Sequence, residues 1–289
     1  MRSRAAVEAN ERGRALAESG QYASAIPHYL EAVQAAPSWS DPWFNLGIAY
    51  KHTCDFAGSL RACERALSID RKAAGEGAIW NLGIAATALG DWAKARRAWK
   101  DFGLELPDGE GPIEMRGVPT PIRLNPRGSS EVVWSLRIDP ARARIGSIPF
   151  PASGHRYDDL VLHDGAPSGY RKHQGRDVPV FDVLALLAPS TFETWRVALV
   201  APSADDLEDL VARLRALGVP AEDWTSVRAL CERCDKGIPH AHPGDDRAPA
   251  WIAERNLGMA LRGTAPGQAL AEWTCASAGR SVGTPERLL

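Results

Sequence analysis

Residues able to do chemistry concentrate in one stretch of this chain, Cys231-x-x-Cys234 followed by His240-x-His242. Two thiols at i and i+3 can grip one metal ion from a tight turn. A polar loop containing Gly237 and Pro239 can fold both imidazoles back to complete a tetrahedron. Thiolate together with imidazole favours zinc among the common metals. The His-x-His spacing is shorter than in zinc fingers, so both histidines ligate only from extended chain, with a carboxylate such as Asp245 as a substitute for one of them. The expectation is a zinc ion on Cys231, Cys234, His240 and His242, structural rather than catalytic, because four protein ligands leave no position for water. Two plainer alternatives stand beside it: a solvated loop rich in turn residues, and a dithiol that oxidises reversibly. A thioredoxin-type pair would open a helix after a strand and would need no histidines.

Other clusters are weaker. His155 stands near Asp158 and Asp159 in a glycine-led turn, where aspartates ordinarily cap backbone groups. His163 adjoins Asp164, and the basic run from Arg171 to Arg176 reads as a solvated loop. No phosphate-cradling loop, nucleophile elbow or HExxH helix occurs, so no catalytic residue is expected.

The chain has 289 residues, 45% of them hydrophobic, enough for two or three domains with real cores. A net charge of -2 argues against a broad basic surface for nucleic acid. No apolar run approaches the roughly 20 residues needed to cross a bilayer, and charges come too early for a secretory signal. Five cysteines, two of them in the Cys-x-x-Cys pair, fit a disulfide scaffold poorly. These features point to a reduced, cytoplasmic setting. Abundant Ala, Arg and Gly with scarce Lys suit a bacterium of high genomic GC content.

The elements that must position any site begin with a repeat. Trp43-Phe44-Asn45-Leu46-Gly47-Ile48-Ala49-Tyr50 recurs in weaker form around Gly13 and Gly83, at spacings of 34 and then 36 residues. The phrase fits W-x2-L-G-x2-Y, and the first 107 residues resemble the tetratricopeptide (TPR) repeat family. The second half of that signature follows as Ala25, Tyr29, Ala32 and Pro37, then Ser59, Cys63 and Ala66, then Ala95, Trp99, Phe102 and Pro107. Small residues on both helices of a hairpin allow close approach, and the aromatic fills the space beside them. Arg71 stands where the second repeat would have proline, and the two extra residues before the third repeat are assigned to a loop at 71–77. Ala9 and Arg12 replace the usual Trp and Leu in the first repeat, as suits a solvent-facing cap. Turns are expected at Gly20, Cys54 and Gly90, with cysteine replacing glycine at some local cost.

The resemblance implies stacked helical hairpins whose front helices line a groove for another protein. Asn45 and Asn81 then occupy positions that often grip a peptide backbone, flanked by Phe44 and Trp80. Arg14, Ile48 and Ile84 lie one turn on, and Lys51 and His52 follow. The partner-binding set is therefore Arg14, Phe44, Asn45, Ile48, Lys51, Trp80, Asn81 and Ile84. An amide bonds a peptide amide whatever its sequence, and aromatics add apolar anchoring. The family's carboxylate-clamp variant needs basic residues where the third repeat has Gly77 and Asn81, so a C-terminal carboxylate ligand is not expected.

After Pro107 the period changes. Residues 108–130 are rich in Pro and Gly and read as a linker. From 131 to 190, short alternating segments at 132–138, 143–148, 159–163 and 178–187 predict a small bent sheet or barrel. From 191 to 289, a strand at 194–200, a helix opened by the capping box Ser203-Ala204-Asp205-Asp206, a strand at 219–230, and a weaker strand-helix-strand echo at 256–288 predict a ferredoxin-like α+β domain. The whole is an α+β multidomain chain with repeats at about 6–39, 40–75 and 76–107. Its expected role is an adaptor binding a protein or peptide, not nucleic acid or membrane. The alternatives are a zinc-dependent or redox-sensing module delivered by the repeats, and an immunity or antitoxin-like masking protein.

Overall fold

A computed structural model of the chain describes residues 3–128, 130–226, 251–263 and 266–289. The chain forms two compact units. The first comprises Met1–Val118 with Arg137–Arg142 and Leu162–Gly165, and the second comprises Pro119–Leu136, Ala143–Val161 and Ala166–Leu289. These borders cut across the sequence divisions at 107, 130 and 190.

In the first unit six helices follow one another: α1 (Arg4–Glu18), α2 (Tyr22–Ala35), α3 (Ser40–His52), α4 (Phe56–Ile69), α5 (Arg71–Ala88) and α6 (Trp92–Asp101). The Ser3, Asp55 and Asp91 side chains cap α1, α4 and α6 by accepting from backbone N–H groups. The turns α1–α2, α3–α4 and α5–α6 each carry a left-handed residue, Gly20 (φ 77°), Cys54 (φ 61°) and Gly90 (φ 70°). The thiol-bearing residue in the middle turn thus adopts a conformation that disfavours any Cβ.

The repeat glycines are places of contact. A Cβ on Gly13 would lie 2.7 Å from the Tyr29 ring, one on Gly47 2.7 Å from the Cys63 sulfur, and one on Gly83 2.6 Å from the Trp99 ring. Tyr29, Cys63 and Trp99 are buried, so each back-helix side chain fills the notch its partner glycine leaves. Residues 71–77, expected as a loop, instead begin α5. Asp70 caps them by accepting from Lys72 and Ala73, and Gly75 (φ 64°, ψ -170°) breaks the helix before it resumes.

The second unit holds most of a five-stranded closed barrel: β1 (Val118–Leu124), β2 (Glu131–Arg137), β3 (Arg142–Ile145), β4 (Leu160–His173) and β5 (Arg176–Ala188). Its core includes Ile122, Leu124, Val133, Ile145, Val161 and Phe181. Strand β1 lies inside the stretch read as a linker. Its prolines, Pro119 and Pro121, precede the residues that pair with β5, Ile122↔Phe181 and Arg123↔Asp182, so the missing N–H groups do not interrupt that pairing. The basic run at 171–176 is the tip of the β4–β5 hairpin, turned by Gln174 (φ 49°) and Gly175 (φ 76°). Two consecutive positive φ values there match the twist of the flanking strands.

The remaining strands, β6 (Glu193–Val200), β7 (Ala221–Asp223), β8 (Glu254–Leu261), β9 (Ser281–Val282) and β10 (Glu286–Arg287), form an antiparallel sheet in the order β10-β6-β8-β7, with β9 also on β6. Helices α7 (Ala204–Ala216) and α8 (Gly267–Ala276) add Leu207, Leu210, Leu214, Leu270 and Trp273 to a core with Val197, Leu199, Leu257 and Met259. The capping box at Ser203 and Asp206 is present. Of the strand expected at 219–230, β7 covers Ala221–Asp223 and is followed by a 3-10 turn at Trp224–Ser226, while 227–230 lie outside the described residues. Among the described residues no helix is long and apolar enough to cross a membrane.

Replacing Gly83 by Ala forces a methyl into the buried Trp99 ring. The substitution is expected to destabilise the helical unit by about 1–3 kcal/mol, measured as a lowered urea midpoint with unchanged slope.

Candidate functional site

The front helices α3 and α5 meet Leu162–Gly165 of β4 within the first unit. Lys51, in the last turn of α3, donates from Nζ to Asp164 Oδ1 at 2.8 Å and to Asn81 Oδ1 of α5 at 2.9 Å. Both charged side chains are almost wholly buried, 5% and 9% exposed. His52 Nε2 stands 3.7 Å from the other Asp164 oxygen, its ring stacked on Tyr22 with centroids 4.1 Å apart. The Gly165 N–H donates to Asp164 Oδ1 at 2.7 Å. Trp80 closes over the next residue: a Cβ on Gly165 would lie 1.5 Å from the Trp80 Nε1 atom, so only glycine fits there. Trp80 itself is braced edge-on by Trp99 and Phe102 at centroid distances of 4.9 and 4.6 Å.

Backbone contacts fix the segment from its other side. The His163 N–H donates to the Ala141 carbonyl at 2.8 Å, and His163 Nδ1 lies 2.8 Å from the Asp164 carbonyl oxygen. A carbonyl only accepts, so Nδ1 carries the proton. Nearby, Arg142 donates to the Asp139 carboxylate and, at 2.7 Å, to the Ile113 carbonyl, and its guanidinium stacks 4.7 Å from the Trp92 ring.

Burial works against the Asp164 carboxylate, but the Lys51 ammonium, with His52 and the Gly165 N–H, more than offsets it and holds the carboxyl below its usual range. Burial dominates at His163. Its imidazole is pushed down from 6.5 to about 4, Arg137 adding to the depression while the Asp164 carbonyl and the Asp139 and Asp164 carboxylates oppose it. Burial likewise pushes the Cys63 thiol up to about 12.

The eight residues assigned to partner binding do not share one surface. Lys51, Asn81 and Ile84 are buried; Lys51 is engaged by the chain's own Asp164, and Asn81 accepts from Lys51. Asn45 is half-buried and donates to Asn10 Oδ1 at 3.0 Å. Phe44 packs against Ala66, Ala74 and Ala78, filling the joint between repeats. Ile48 and Trp80 are half-buried, while Arg14 is exposed and paired with Glu11 and Glu18. Asp164 and Gly165 were the unanticipated members. The available signal was Lys51 itself, an ammonium among apolar helix residues with no acidic residue three or four positions away on its helix.

Cys231, Cys234, His240 and His242 lie outside the described residues. Among the described residues no group of three or more His, Cys, Asp or Glu side chains is placed to hold a metal ion. Asp159 does what a turn aspartate ordinarily does, accepting from the backbone N–H groups of Arg156 and Ser190 at 2.8 and 2.7 Å.

No protein-family model matches the chain, and no curated protein does. Solved structures match its helical third. One is the second TPR of Spaghetti (RPAP3) bound to an HSP90 peptide, 22% identical, covering 34% of this chain and 90% of that one with a TM-score of 0.33. Another is the Arabidopsis OM64 TPR domain, 23% identical, covering 34% and 79% with a TM-score of 0.32. A third is the second TPR domain of human RPAP3 with an HSP70 peptide, 23% identical, covering 34% and 79% with a TM-score of 0.32. In this chain the repeated phrase stands on α1, α3 and α5, and its glycines Gly13, Gly47 and Gly83 meet Tyr29, Cys63 and Trp99 of the helices that follow.

Acid is expected to weaken the fold through this site. Unfolded His163 takes up a proton near pH 6.5 and the folded one only near 4, so stability present above 6.5 is lost progressively as pH falls towards 4, by about 3 kcal/mol for this group alone. Asp164, whose carboxyl is also held down, adds a further loss below the ordinary carboxylate range. Urea midpoints followed from pH 7.5 to pH 4 should show this slope, and His163→Gln should flatten it. An equal slope in the variant would remove His163 as the cause.

Proposed function

We propose that the chain is a protein-interaction adaptor, built from three tetratricopeptide repeats joined to a β-rich module and a ferredoxin-like domain. The observation that carries this reading is the way the repeat face holds an extended segment. The Lys51 ammonium, itself bonded to the Asn81 amide oxygen, holds Asp164 while the Trp80 indole covers Gly165, an ionic and aromatic grip of the kind by which a repeat groove takes a segment from another protein. Because the segment belongs to the chain itself, the inner part of the face is satisfied in cis. The outer part, at Arg14, Asn45 and Ile48, is left to a partner. Support for the ferredoxin-like assignment comes from the sheet order β10-β6-β8-β7, with helices following β6 and β8 and every pairing antiparallel. A structural zinc on Cys231, Cys234, His240 and His242 belongs to the same reading and rests on the donor set and its spacing.

Affinity capture with the full chain tests the role of the repeats. A partner recovered by the natural protein should be lost by the Arg14→Glu/Asn45→Ala/Ile48→Asp variant, with about 1 kcal/mol of the loss assigned to the asparagine hydrogen bond. Equal recovery by two equally helical proteins would remove the outer face from consideration. Elemental analysis of untagged protein is expected to find one zinc per chain, lost on Cys231→Ser/Cys234→Ser. Freshly reduced protein without metal would leave a plain dithiol loop.

A further inference from the structure

With the inner front face filled from within, the repeat unit offers a second recess. A cleft of about 230 Å³ opens between α4, α5 and α6, floored by Leu67, Ile79, Leu82 and Ala98. At 100° per residue, Ile79 and Leu82 stand on nearly the opposite side of α5 from Asn81 and Ile84, so this recess is not part of the groove that holds Asp164. The volume is below the roughly 300–1,000 Å³ of small-ligand sites, and it suits one apolar side chain of a protein partner.

The rim defines what should accompany that side chain. Lys94 is paired with Glu64 at 2.8 Å and with Asp91 at 3.9 Å, and Arg71 with Asp101 at 3.1 Å. Arg97 also lines the cleft and is exposed, and among the described residues no carboxylate pairs with it. Arg97 is therefore the rim cation that one incoming carboxylate would match. We infer that this cleft is a docking site for a partner segment that inserts a leucine-sized side chain beside an acidic residue, the carboxylate meeting Arg97. The inference rests on the adaptor reading and adds the location and chemistry of a contact that the front face does not provide. An apolar anchor ringed by charges that exclude water is the arrangement in which few residues carry most of an interface's affinity.

The test uses the full chain with methyl-labelled Leu and Ile side chains and a defined probe, the acetylated and amidated tetrapeptide Glu-Leu-Glu-Leu, with Gln-Leu-Gln-Leu as the uncharged control. The expected result is saturable shifts at Leu67, Ile79 and Leu82, weakened about tenfold for the control peptide and for the exposed-site variant Arg97→Glu. Shifts confined to the front face, at Ile48, would overturn the inference while leaving the adaptor reading in place. No saturable shift, or shifts at the cleft indifferent to both the control peptide and Arg97→Glu, would also overturn it, whereas the adaptor reading falls only with the capture experiment.

Discussion

Burying the ammonium of Lys51 is the constraint around which the repeat unit is arranged. An ammonium removed from water loses hydration worth several kcal/mol, and only well-placed partners offset it. Asp164 brings the opposite charge at 2.8 Å and Asn81 a carbonyl at 2.9 Å, while the Gly165 N–H and His52 serve the carboxylate in turn. Taking away either charge would leave the other stranded in a dry site, at about 3–5 kcal/mol. Asn81 is consequently committed, through its carbonyl oxygen, to orienting a lysine. Gly165 is committed as well, because the Trp80 indole occupies the space a side chain would need.

That arrangement depends on the helices being held at fixed separation. The notches at Gly13, Gly47 and Gly83, filled by Tyr29, Cys63 and Trp99, set how closely the two helices of each pair approach. Trp99 then braces Trp80, which covers Gly165, so a contact inside one hairpin determines the position of a side chain on the front face. The sheet of the second unit is organised differently. Its core is largely aliphatic around Trp273, and Arg280, the residue before β9, binds Asp206 and Asp209 of α7.

The helical elements were legible because their information is local. A glycine at a fixed place in a periodic phrase, a capping aspartate and a period of 3.6 residues act within a few turns of chain, and the structure places α1 to α6 where those signals stand. The strands at 131–137, 176–188 and 193–200 were legible from alternation. Strand β1 was not, because Pro119 and Pro121 are loop residues by local preference and only pairing with β5 makes their stretch a strand. The candidate site suffered for the same reason. Lys51 and Asp164 are 113 positions apart, and nothing near either one announces the other. Asn45 and Asn81 stand on α3 and α5, yet Asn45 bonds Asn10, and Asn81 bonds a lysine whose other partner, Asp164, comes from β4.

The break at Gly75 has a consequence for how the repeats keep step. The spacing between Gly47 and Gly83 exceeds the earlier one by two residues, yet Trp80 and Asn81 arrive where Lys51 and Asp164 need them. The surplus is spent in the capped turn at the start of α5, which ends at the glycine's left-handed backbone before the helix proper begins. The joint between the second and third repeats thus works as an expansion gap. Length added on its upstream side is taken up there, so the stack is registered by the contacts of its side chains and not by the count of residues between them.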